Sequence, residues 1–162
     1  MPDFRERWAG ILNDCGLEVT PDVKLALLAA TAGNEEMRFL LGESERIERE
    51  WAEVRAGDWD GGDVSDDYWR MAAAASRVFS LLGPKAARFL MAELQEPGSS
   101  HRRTAARMLL AVPGHVDVGA VRSILSSEPD EEIRGFLGQV LNPSPSVPCA
   151  WWQFWKRGRH GK

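Results

Sequence analysis

EPGSSHRRTAARML at 96–109 and EPDEEIRGFLGQVL at 128–141 are two copies of one pattern, and their register decides the fold. Each opens with Glu-Pro and places an arginine six residues after the Glu, Arg102 in the first copy and Arg134 in the second. The copies start 32 residues apart, and overlaying them puts Ala105 on Leu137, Met108 on Val140 and Leu109 on Leu141. The apolar phase therefore repeats together with the punctuation. A period of roughly 20–50 residues built from helical segments predicts a stacked helical array, because each unit can bury its apolar face only against the next.

The same phase extends upstream. Ser65 can cap a helix in which Ala72, Ala75, Val78, Phe79 and Leu82 face inward, and Gly83-Pro84 turns the chain into a partner helix carrying Ala87, Leu90 and Leu94. The pair then recurs. Ala105, Met108, Leu109 and Val112 answer Ala75, Val78, Phe79 and Leu82, while Val118, Val121 and Leu125 answer Ala87, Leu90 and Leu94. Asp117 is the cap expected for the second partner helix, and Asp130 starts a last helix ending near Leu141.

Towards the N-terminus, Phe4, Trp8, Ile11 and Leu12 share one helical stripe that stops before Gly16. Thr20-Pro21-Asp22 opens a second helix running through Leu25, Leu27 and Leu28 to Gly33. Asn34, followed by Glu35 and Glu36, caps a short helix that Gly42 can end. Ser44 then caps another, with Ile47, Trp51 and Val54 as a narrow apolar stripe. GDWDGGDVSDD at 57–67 breaks the helical pattern and is expected to be a loop. No segment alternates as a strand would, so the expected class is all-α with about nine helices.

These helix pairs, with a Pro or Gly turn inside each pair, an acidic-Pro link between pairs and an arginine early in the first helix, resemble bacterial HEAT-like repeats over about residues 65–141. The first unit departs from the pattern, having Ala72 where the phase asks for an arginine, and the last unit is a single helix. Two pairs and a half fall short of the about three repeats that such an array needs, so the N-terminal helices are expected to cap it. The organisation expected is an N-terminal helical cap at 1–57, an acidic loop at 58–64, HEAT-like repeats at 65–141, a Pro-rich linker at 142–148 and an aromatic-basic tail at 149–162. The resemblance implies a scaffold that offers a slightly curved helical surface to a protein partner. It transfers no catalytic residue, and since some distant relatives handle pigments or damaged DNA on the same architecture, fold alone leaves function open.

Composition narrows the classes. With 162 residues, 44% hydrophobic and 27% charged, the chain has the make-up of one globular domain rather than of a disordered segment. No apolar run approaches the roughly 18 residues of a membrane span, and MPDFRERW lacks the apolar core of a signal peptide, which points to a cytoplasmic protein. Cys15 and Cys149 form no ligand cluster and read as free thiols. Net charge is −4, but residues 149–162 hold four Lys/Arg and no acid, so the remainder carries 16 basic against 24 acidic residues. Such a body repels nucleic acid, which is therefore an unlikely partner.

Four features could carry chemistry. Asp58, Asp60, Asp63, Asp66 and Asp67 could wrap a hard cation, but the loop lacks the bidentate Glu of an EF-hand, and the expectation is a solvated loop with no metal. His101, His115 and His160 are scattered without ligand or nucleophile spacing, so no catalytic residue and no cofactor is assigned. Arg88, Arg102, Arg103, Arg107, Arg122 and Arg134 form either a ladder with Glu96, Glu128 and Glu132 or a stripe that reads carboxylate or phosphate; Arg88 and Arg122 are taken as partner-binding candidates.

The tail is the fourth. After NPSPSVP, whose prolines favour an extended reach on the order of 20 Å, comes CAWWQFWKRGRHGK. As a helix it would gather Trp151, Trp152, Phe154 and Trp155 on one arc, with Lys156 and Arg157 opposite. That wedge suits a membrane interface, a protein groove, or the end of the array itself as a cap. The expected function is a non-enzymatic HEAT-like adaptor whose tail contacts a partner or the inner face of a membrane. The alternative is an enzyme or nucleic-acid-binding protein on the same scaffold.

Overall fold

The computed structural model describes residues 3–15, 22–56 and 64–143. Among these residues there are eight α-helices, two single-turn 3-10 segments and no strand, so the class is all-α. None of the described helices is long and apolar enough to cross a membrane. The chain divides into two compact units, Met1–Ala86 and Ala87–Lys162.

The first unit holds α1 (Phe4–Cys15), α2 (Asp22–Thr31), α3 (Asn34–Ala56) and α4 (Val64–Leu82). A reciprocal capping box starts α1: the Asp3 amide donates to Glu6 Oε2 at 3.0 Å and the Glu6 amide to Asp3 Oδ1 at 2.8 Å. The stripe expected on α1 is inside, with Phe4, Trp8 and Ile11 buried. Phe4 meets Phe39 of α3 edge-on at 6.3 Å, and the Trp8 indole N–H donates to Glu43 Oε2 at 3.2 Å. Arg7 Nη2 donates to Thr31 Oγ1 at 2.7 Å, which ties α1 to the end of α2. The helix α4 packs against α1, α2 and α3 and supplies Ala72, Ala75, Val78 and Phe79 to the core.

Three local readings are corrected here. The helices expected to break at Gly42 are one continuous α3, because Met37, Leu40, Leu41, Ser44 and Ile47 form an unbroken buried stripe across the glycine. That burial outweighs the roughly 1 kcal/mol that a helical glycine costs. Ser44 accordingly caps nothing; its hydroxyl donates back to the Leu40 carbonyl at 2.8 Å. The cap of α3 lies one residue earlier than Asn34, at Gly33, whose amide donates to Glu36 Oε2 at 2.8 Å. Further on, α4 already begins at Val64, so Ser65, Asp66 and Asp67 belong to its first turn and not to the loop.

The second unit contains most of α5 (Pro84–Gln95), then α6 (Arg102–Met108), α7 (Val118–Ser127) and α8 (Glu131–Leu141). Gly83 adopts φ 52, a left-handed conformation that glycine takes without strain, and Pro84 follows at the first position of α5. Ala87, Leu90 and Leu94 of α5 are buried. Ala105, Met108, Leu109 and Val112 are buried along α6 and the 3-10 turn that follows it, and α8 adds Ile133, Leu137 and Val140. The helix α8 packs on both α6 and α7. Asp117 caps α7 through the amides of Gly119 and Ala120, and Asp130 caps α8 through those of Glu132 and Ile133, as expected.

Candidate functional site

The six repeat arginines separate into two groups. Arg102 Nη2 donates to Glu128 Oε2 at 2.5 Å while its Nε donates to the Leu94 carbonyl at 3.0 Å, so one guanidinium joins the last turn of α5 to the link before α8. The Glu128 carboxylate is buried, and its other oxygen accepts the Asp130 amide at 3.1 Å. Arg134 repeats the task one period later, with Nη1 on the Glu128 carbonyl at 3.2 Å and the Pro129 carbonyl at 3.4 Å. The Glu-Pro…Arg element is thus a fastening in which an arginine early in one helix satisfies carbonyls at the end of the preceding segment.

Arg103 extends the set, with Nη2 3.0 Å from Asp130 and Nε 3.0 Å from Glu132. The hydrogen bond from Arg103 holds the Asp130 carboxyl below its ordinary range, helped by the two amides it caps. The same bond, with the nearby charges of Glu132 and Asp130, raises the Arg103 guanidinium. Arg107 also has an interaction partner. Of the acids expected in the ladder, Glu128 and Glu132 take part, and Glu96 is exposed.

Arg88 on α5 and Arg122 on α7 stand apart. Both are exposed, and among the described residues neither makes a hydrogen bond or ion pair. Their helices also carry no exposed acid between their ends: Glu93 of α5 is buried and accepts from Ser99 Oγ at 2.8 Å. On α7 the residues around Arg122 are Val118, Gly119, Ser123 and Ser126, all exposed. Val118 is 48% exposed, although the phase placed it inward with Val121. Among the described residues of this unit charge is therefore sorted by helix, with interlocked pairs around α6 and the start of α8, while Arg88 on α5 and Arg122 on α7 stay unpaired.

The remaining candidates are less informative. Trp151, Trp152, Phe154, Trp155, Lys156 and Arg157 lie outside the described residues, as do Trp59, Asp58, Asp60 and Asp63. His101 precedes α6 without a side-chain cap, and His115 is exposed in a 3-10 turn. No group of three or more His, Cys, Asp or Glu that could hold a metal occurs among the described residues.

A polar cluster of the first unit is built from Trp8, Glu43, Arg46 and Glu50. Arg46 donates to Glu43 through Nε at 3.1 Å and Nη2 at 2.9 Å, and to Glu50 at 2.7 Å. The Arg46 hydrogen bonds are the main cause of a lowered Glu43 carboxyl, working against partial burial. Every strong group in this cluster is matched by another, which is the arrangement of a structural clamp. No family model, curated protein or solved structure matches the chain.

Proposed function

We propose that the chain is a non-enzymatic adaptor built on a short HEAT-like helical array, and that the α5 and α7 surfaces receive an acidic segment of a protein partner. The observation that carries this reading is the sorting of the arginines. Arg102, Arg103 and Arg134 are engaged within the unit, whereas Arg88 and Arg122 face solvent on helices without an exposed acid. A guanidinium in that setting is available for a carboxylate, with the flanking Ser123 hydroxyl as a further donor. The aromatic-basic tail at 149–162 is the second contact of the adaptor, with a partner or with an anionic membrane surface.

Cross-linking in cells followed by mass spectrometry tests the reading, comparing the full chain with Arg88→Glu/Arg122→Glu and with Arg5→Glu/Arg49→Glu as a control of equal charge. The expected result is a partner cross-linked at α5 and α7 that only the first variant loses. Cross-links elsewhere, or equal loss in both variants, would remove Arg88 and Arg122 from the site.

A further inference from the structure

We draw no further inference here: the strongest candidate, the apolar outer face of α2 on which Val23, Ala26, Leu27 and Ala30 are exposed among the described residues, carries none because nothing in the structure shows what covers it.

Discussion

At single residues, the chain relies on side chains that satisfy two structural demands at once. Asp130 caps α8 and accepts from Arg103, and these two tasks can be separated. Asp130→Asn keeps a good cap but loses the ionic partner, whereas Asp130→Ala loses both, so melting temperatures should fall in the order native, Asn, Ala. The folded carboxyl titrates below its ordinary 3.8, which fixes the sign of the pH effect. The stabilisation is complete above 3.8 and declines as pH drops from there towards the lowered value, while the native-to-Asn difference should shrink over the same window. Thermal melts of the native chain and both variants from neutral to acid pH provide the check. A difference that grows on acidification would contradict the assigned hydrogen bond. Arg102 makes the stronger case, because its Nε and Nη2 reach in different directions to the Leu94 carbonyl and the buried Glu128 carboxylate. A lysine has one ammonium and cannot reproduce the fork. Arg102→Lys should therefore cost about 1–3 kcal/mol in chemical denaturation.

For whole elements, apolar phase is a better guide to the buried side of a helix than to its ends or its outer face. The stripe Ala105, Met108, Leu109 and Val112 was readable because a helix packed on one side buries every third or fourth residue, and Leu109 is fully buried. Leu109→Ala should cost roughly 2–5 kcal/mol by denaturant unfolding. The single α3 was not readable, because Gly42 and Ser44 are legitimate stop and start signals in isolation. Only the burial of Leu41, Ser44 and Ile47 against other elements cancels them. Exposure of Val118, Val23 and Leu27 was hidden for the converse reason: a sequence marks a residue as apolar and does not say whether another element covers it. The candidate site was legible to the level of residue type. Six arginines were visible, but separating the engaged Arg102, Arg103 and Arg134 from Arg88 and Arg122, which have no partner among the described residues, needed the positions of the acids. One helix also leaves room for improvement: Gly135 of α8 is exposed, and a methyl group there would meet nothing within 4 Å. Gly135→Ala should stabilise by about 0.5–1 kcal/mol, and a denaturation curve shifted the other way would mean that this face of α8 is covered.

Across the whole molecule, charge is distributed as unevenly as apolar surface. Residues 1–86 hold 17 acids and 10 bases, and residues 87–162 hold 7 acids and 10 bases, four of those bases within the last fourteen residues. A chain ending at Asn142 would lose Trp151, Trp152, Phe154 and Trp155 together with all four of those cations, leaving a body of −8. The buried stripe of α8 is already complete at Val140, ahead of the proline segment. Truncation is therefore expected to leave helix content and melting temperature unchanged. Binding to vesicles containing anionic lipid should disappear, since an acidic body is repelled by the surface that the tail would meet with indole rings and cations. Raising the salt concentration separates the two contributions: the cationic share of binding weakens as the screening length falls from about 10 Å at 0.1 M to about 3 Å at 1 M, while the share from the aromatic rings persists. Co-sedimentation of the full and truncated chains with anionic and neutral vesicles measures both effects. If the full chain ignores vesicles and the truncated chain melts several degrees lower, the aromatic residues serve as a cap on the protein itself, and the proposed external contact of the tail is overturned.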